Sequence, residues 1–500
     1  RLRIDGLAGE TLVLASPGRC YRPPAVQEGG RVWGPAVQLY GLRSPRNWGI
    51  GDFGDLEELA TRMAAQGADI IGVNPLHALF AANPVHASPY SPSSRQQLNT
   101  LYIDVEAADE FAQCEPARKL VESPAFQARL AALRAEALVD YAGVASAKLE
   151  VLALLFAHFR ERHLPEDGAP DEEGLAFLSF VAQRGEGLRQ HALFETLHAH
   201  FLAADPAMWG WPVWPAAYRD PDSAEVTAFA VQHAQRLQFH QYLQWQAARQ
   251  LARAGERCAA LGMGVGLYVD LAVSVDRAGS DAWTAQAVFA GGASIGAPPD
   301  EFNPAGQNWG LPPLRPDRLR ADGHRFFIQT LRASMHGAGA LRIDHVMGLM
   351  RLFWIPPGRG AQDGAYVYYP LDELLAIVAI ESHRHRCMVV GEDLGTVEDA
   401  VREALGKADV QSYRLLYFER LDRHQGSGFK PPAVYPPAAL VAVSTHDLAT
   451  FAGWWAGHDL RVRLSLGLFP DERIFDKQLL DRAQERIELM LAVQQACLLS

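Results

Sequence analysis

Short apolar runs recur along the chain, separated by longer stretches in which apolar positions return every three or four residues. Residues 36–40, 69–76, 264–271, 339–343, 388–391, 413–418 and 440–443 read as buried strands. After the first run, Leu56, Leu59, Ala60 and Met63 make one helical face; Asp55 with Glu58 resembles a capping box, and Gly67 stops the helix. A strand, a helix and a strand in succession form a βαβ unit, which implies a parallel sheet. The spacing of the later runs predicts an α/β fold, a (β/α)8 TIM barrel spanning 36–500. Residues 1–35 are turn-rich, with one strand-like run at 11–15, and read as the end of an N-terminal extension; the chain opens on Arg1 rather than methionine.

The character changes over about 105–235, where a helical insertion subdomain is predicted. Ser123-Pro124 opens a helix with Phe126, Leu130, Leu133 and Tyr141 on its apolar side, and a second helix runs through Leu149, Leu152 and Phe156. An acidic break follows at 165–173, and a helix from about 223 to 258 leads back to the strands. Trp209, Trp211, Trp214 and Trp245 are expected mainly to pack in the core.

Composition narrows the partners. Nearly half of the 500 residues are apolar and 21% are charged, the profile of a globular protein with a large core. The net charge of −12, with both signs interspersed, argues against nucleic acid or an anionic membrane as the main partner. Cys20, Cys114, Cys258, Cys387 and Cys497 are scattered and form no CxxC pair. That disfavours a disulfide framework or zinc cluster and fits a reducing, cytoplasmic setting. No apolar run is expected to reach the length of a membrane span, and no signal peptide is recognisable at the start.

Four strands finish in a carboxylate: Asp270, Asp344, Glu392 and Asp447. A single strand-end acid is compatible with a structural ion pair, and Arg342, two residues before Asp344 on the same strand face, would supply one. Four acids on one strand edge would repel one another unless function required them. Counting βα units places them on strands 3, 4, 5 and 7, at the C-terminal mouth where barrel enzymes gather their catalytic groups. Metal hydrolases on barrels want paired strand-end histidines; here only His345 and His446 lie near the acids, so no metal site is expected. Enolisation would want a lysine or histidine base. Cleavage of a glycosidic bond with retention needs an ionised carboxylate and a protonated partner. Arg342 would hold Asp344 ionised, and Glu392 among other negative charges would keep a proton.

The motifs Ala340-Leu341-Arg342-Ile343-Asp344, Val390-Gly391-Glu392-Asp393 and Ser444-Thr445-His446-Asp447 resemble those of the α-amylase clan. With 39–56 (including Asn47-Trp48-Gly49-Ile50-Gly51-Asp52), 88–91, 266–273 and 296–312, the chain resembles the 4-α-glucanotransferases over about 36–455. The resemblance implies Asp344 as nucleophile, Glu392 as acid/base and Asp447 as transition-state stabiliser. It implies Asp270, Arg342, His345 and His446 around the reacting glucose, and Ser88 and Tyr90 on an early substrate loop. A loop at 298–310, with Asp300, Gln307 and Trp309, would lie over the cleft. The implied substrates are maltooligosaccharides and α-1,4-glucans, and no cofactor is implied. A hydrolase of the same clan and a non-catalytic glucan-binding barrel are the alternatives. Ala449 stands where family members often carry proline. No strand-like run follows Asp447, where the family continues, so an eighth strand is expected to lie outside these residues.

Overall fold

The computed structural model describes residues 2–3, 5–6, 10–299, 303, 305–395, 397–421, 428–469 and 471–499, with side chains through 494. The chain divides into two compact units, Arg1–Val389 and Val390–Ser500.

In the first unit, β1 (Ala36–Val37), β2 (Ile70–Val73), β3 (Gly266–Leu271) and β4 (Ala340–Ile343) run parallel in that order. Every residue of β2, β3 and β4 is buried, as expected of strands covered on both faces. Beside β4, the Met388 N–H donates to the Gly339 carbonyl at 2.9 Å, starting β5 (Met388–Gly391). The strand expected at 11–15 is absent; Thr11 makes only an isolated bridge with Leu2.

Helix α1 (Phe53–Ala64) begins one turn earlier than the sequence suggests. Its N-cap is Asp52, whose carboxylate accepts the Asp55 N–H at 3.0 Å, while Asp55 accepts the Asp52 N–H at 3.1 Å. The box therefore closes on Asp52 and Asp55, not on Asp55 and Glu58. Arg46 fixes it by bridging Asp52, Asp55 and Asp104. Gly67, at φ 83°, follows the helix in the left-handed region that favours glycine.

The insertion is helical, with two corrections. Ser123 caps a helix at Pro124–Ala135, but Tyr141 opens a separate helix, α2 (Tyr141–His163). Helix α3 (Glu172–Ala204) is interrupted at Gly185, whose backbone is non-helical. The helix expected over 223–258 is likewise two, Ala224–Gln232 and α4 (Ala234–Ala260), divided at His233. Trp214 and Trp245 are core residues, Trp211 is half-buried and Trp209 is exposed. By length and composition α2 could cross a membrane, contrary to expectation; half of its most apolar window is buried, and Lys148 within it donates to the carbonyls of Leu101 and Ile103.

Beyond β3, an antiparallel sheet places Ala365–Tyr368, Arg351–Ile355, Ser294–Ala297 and Gln307–Asn308 side by side. Within the stretch predicted as a loop at 298–310, Gln307–Asn308 is thus a short strand paired with Ser294–Ala297. Helices α5 (Arg325–Met335) and α6 (Leu371–His385) pack together near β4. Cys20, Cys114, Cys258 and Cys387 are buried thiols.

In the second unit β5 continues and pairs in parallel with β6 (Gln411–Leu415), which pairs with β7 (Ala439–Ala442). Among the described residues no strand follows β7; a long helix, α7, occupies Glu472–Leu499. Phe429, Trp454 and Leu489 form its small core.

The first unit buries several histidines as neutral rings. Burial holds His77, His191 and His240 down to about 3, with nearby cations adding to the effect. In the unfolded chain these rings take up protons near pH 6.5. Between about 6.5 and 3 the unfolded state therefore binds more protons, and stability rises with pH. In urea melts the histidine contribution should be full above pH 6.5 and fall away towards pH 4, against an opposite slope from Glu195, whose carboxyl burial raises to about 8. His240→Gln should reduce the slope in that window.

Candidate active site

The register of β3 against β4 sets Asp270 directly opposite Arg342. Both side chains are buried, and such neighbours are tolerated only as an ion pair. Arg342 Nη1 donates to Asp270 Oδ1 at 2.7 Å. Its Nη2 reaches Asp344 Oδ1, also at 2.7 Å. One guanidinium therefore joins an acid across the sheet to an acid further along its own strand. A planar cation with divergent N–H groups can do this; a lysine could not hold both directions at once. The Tyr90 hydroxyl donates to Asp270 Oδ2 at 2.8 Å, so each oxygen of that carboxylate has a donor.

The protonation states follow from these contacts. Burial alone would lower the Arg342 pKa, but Asp270 and Asp344 hold it well above its ordinary value. Burial pushes the Asp270 carboxyl up, against the pull of Arg342. Burial also raises Tyr90, with Asp270 adding to it, which keeps the hydroxyl a donor. The sequence assigned Arg342 to Asp344 alone; the structure divides it between two acids.

Asp344 lies just beyond β4 and is fixed by its backbone, its N–H donating to the Leu271 carbonyl at 3.1 Å. The chain then turns sharply, with His345 at φ 48° in the left-handed region. Burial lowers His345 to about 4, leaving it neutral at physiological pH. Trp309 meets the His345 ring edge-on, 5.3 Å between centroids, and its indole N–H donates to Gln307 Oε1 at 3.0 Å. Tyr90, Asp270, Arg342 and Asp344 thus form one connected group, and Gln307, Trp309 and His345 a second. Ser88 is exposed on the loop that delivers Tyr90. Asp300 lies outside the described residues.

In the second unit, Glu392 follows β5 and accepts the Leu394 N–H at 2.7 Å. Its neighbour Asp393 points elsewhere: buried, it accepts the Ser412 hydroxyl and the Tyr413 N–H at 2.9 Å each, tying the end of β5 to β6. After β7, His446 Nε2 lies 3.2 Å from Asp447, whose side chain is exposed. Among the described residues no group of three or more His, Cys, Asp or Glu side chains is placed to hold a metal ion.

Two positioning residues escaped the sequence reading. Arg95 is buried in a strand, Ser94–Leu98, and its Nη1 donates to the carbonyls of Ala272 and Val273, just past Asp270. His77 Nε2 accepts the Ala272 N–H at 3.4 Å. Arg95 sits in the polar run Ser93-Ser94-Arg95-Gln96-Gln97, which carries no strand signal. Only pairing with His77–Ala78 makes it one.

A family model described as 4-alpha-glucanotransferase matches residues 37–496. A curated 4-alpha-glucanotransferase of Haemophilus influenzae is 42% identical over 480 residues, covering 94% of this chain and 67% of its own. One of Mycobacterium tuberculosis is 40% identical over 472 residues, covering 92% and 63%. The chain thus spans about two thirds of the length of these relatives. Among solved structures, the amylomaltase of Corynebacterium glutamicum superposes with a TM-score of 0.80 at 32% identity, over 96% of this chain and 64% of that one. An amylomaltase of Streptococcus agalactiae in complex with acarbose shares the fold, with a TM-score of 0.69 at 19% identity over 88% of this chain and 85% of that one. The fold class is α/β, of the (β/α)8 type.

Replacing Arg342 by methionine leaves Asp270 buried without its cation. Breaking such a pair costs about 3–5 kcal/mol. Denaturant melts of Arg342→Met at pH 7 should show a loss of that order. Because burial raises the Asp270 pKa, its protonation relieves the uncompensated charge. The gap between wild type and variant should therefore narrow as the pH is lowered.

Proposed function

The chain belongs to the 4-alpha-glucanotransferase family, and from that premise we propose that it is an enzyme of glucan transglycosylation. It moves α-1,4-linked segments from a donor maltooligosaccharide to the 4-hydroxyl of an acceptor. The observation that carries the residue assignment is the Arg342 bridge. Of the two acids it holds, Asp270 is 8% exposed and Asp344 20% exposed, so Asp344 is the carboxylate a substrate can reach. A nucleophile must be ionised and aimed. The Nη2 contact sets a cation beside the carboxylate and orients one oxygen, leaving the other for attack on the anomeric carbon.

In this reading Asp344 attacks as the glycosidic bond breaks, and Glu392 protonates the departing oxygen. A covalent glucosyl ester forms with inverted configuration; attack by an acceptor hydroxyl, deprotonated by Glu392, inverts it again and restores the α-linkage. Asp447 grips the distorted sugar, with His446 beside it. Asp270, Arg342, Tyr90 and His345 surround the reacting glucose, and Ser88, Gln307 and Trp309 touch neighbouring units. Asp300 is assigned to the same loop. Transfer wins over hydrolysis when a bound acceptor is oriented and water excluded, since orientation alone is worth several kcal/mol. The Gln307–Trp309 segment against His345 supports such a cover over the intermediate.

Incubation with pure maltotriose should yield glucose and oligomers longer than the starting sugar. Maltose and glucose alone would identify a hydrolase, and tight binding without turnover a glucan-binding barrel. Asp344→Asn should lower turnover at least about 10³-fold while the fold survives. Turnover near wild type would remove Asp344 as nucleophile.

A further inference from the structure

Within the first unit, a cavity of about 270 Å³ lies between the strand Ser94–Leu98, β3 and helices α3, α4 and α5. That is close to the lower end of the range for small-molecule sites. Exposed Gln183 stands at its rim with His336, and Phe180 and Leu251 contribute apolar wall. Leu76, Leu98, Ala248, Ala252, Val269 and Ala333 continue that apolar wall, and the polar lining is confined to a few side chains. Arg95 and Gln97 line it, each only 5% exposed, together with half-buried Arg184 and Ser334.

These groups are incompletely satisfied. Arg95 Nε and Nη2, Gln97 Oε1 and Ser334 Oγ have no hydrogen-bond partner among the described residues. Leaving buried polar atoms unpaired is costly, and more so for charged ones. Nor is either arginine neutralised by an ion pair among the described residues. The Arg95 guanidinium donates to the carbonyls of Ala272 and Val273, and Arg184 Nη2 to that of Gln96 at 3.1 Å. Asp281 favours the charged form of Arg95 but spends its carboxylate oxygens on the Arg95 backbone N–H and the Ser94 hydroxyl, and Asp270 is held by Arg342 and Tyr90. His77 and His336 are both pushed down by burial and by Arg95 and Arg184 respectively, so they add no positive charge at neutral pH. Burial lowers both Arg95, to about 10, and Arg184, yet each stays charged there. Arg184 is also the last residue before the break in α3 at Gly185, which interrupts the helix at the cavity wall.

A buried guanidinium with two unpaired nitrogens, beside a half-buried one, suits an anion that presents several acceptor oxygens. Guanidinium forks match phosphate oxygens in geometry as well as charge, and a phosphate offers one more acceptor oxygen than a carboxylate to the donors gathered here. We propose that this cavity is a binding site for a small phosphomonoester, its phosphate held by Arg95 and Arg184 and its hydroxyl-bearing part by Gln97 and Ser334. The wall includes Val269 and Asp270, so an occupant abuts β3, whose Asp270 shares the Arg342 guanidinium with Asp344.

The test is calorimetric titration of the whole chain with glycerol 3-phosphate, inorganic phosphate and glycerol at constant ionic strength, with thermal melts in parallel. Saturable binding of glycerol 3-phosphate, tighter than that of inorganic phosphate, with a raised melting midpoint and no response to glycerol, is expected. Arg184→Gln should weaken it on the order of tenfold. Ser334→Leu, which fills the cavity and leaves both arginines in place, should weaken it comparably; melts without ligand establish that each variant is folded. Absence of saturable binding by glycerol 3-phosphate overturns the proposal. So does a titration that both folded variants reproduce unchanged, or binding of inorganic phosphate alone.

Discussion

One guanidinium shared by two carboxylates is the constraint around which the first unit is arranged. Arg342 can bridge Asp270 and Asp344 only if β3 and β4 are parallel in the register that puts Asp270 opposite Arg342. A slip of one residue would turn the buried charges towards the apolar side and strand them there. The surrounding contacts maintain that register. The Asp344 N–H continues the ladder to Leu271, Arg95 and His77 secure Ala272 beyond it, and Tyr90 takes the second oxygen of Asp270. The arrangement is costly in desolvation, and a well-packed apolar substitute would serve stability better. Its presence agrees with a chemical purpose.

The strands and their terminal acids were legible because burial on both faces demands continuous apolar runs, and a charge at the end of such a run stands out. Asp270, Asp344 and Arg342 were found in this way, and β3 and β4 fall where the runs end. What was not legible depends on partners distant in sequence. The division of Arg342 between two acids requires the register of β3, some seventy residues away. Arg95 belongs to a polar strand that is buried only because the fold covers it. The short strands around 294–308 and 351–368 contain too little alternation to announce themselves among glycines and prolines. Local chemistry misled in one place: Asp55 and Glu58 have the right spacing for a capping box, but Arg46 draws Asp52 and Asp55 together and starts α1 one turn sooner.

The second unit distinguishes two adjacent acids by direction. Asp393 faces inward, where Ser412 and Tyr413 hold it, and acts on the sheet. Glu392, one residue earlier, is half-buried. Alternation along an extended chain lets one position stabilise the strand and its neighbour remain available for chemistry. A sequence motif quotes both acids with equal weight; the backbone separates their duties.

In the proposed cycle the shared guanidinium faces two carboxylates, so with both ionised before attack the three groups would carry one negative charge in excess. Ester formation at Asp344 in the proposed cycle would remove one of those charges and leave Arg342 matched one-to-one with Asp270. The excess would then exist only while the sugar is unbonded, the interval in which its anomeric carbon develops positive charge. The site would act as an electrostatic spring, attracting the cationic transition state and relaxing to neutrality once the bond is made.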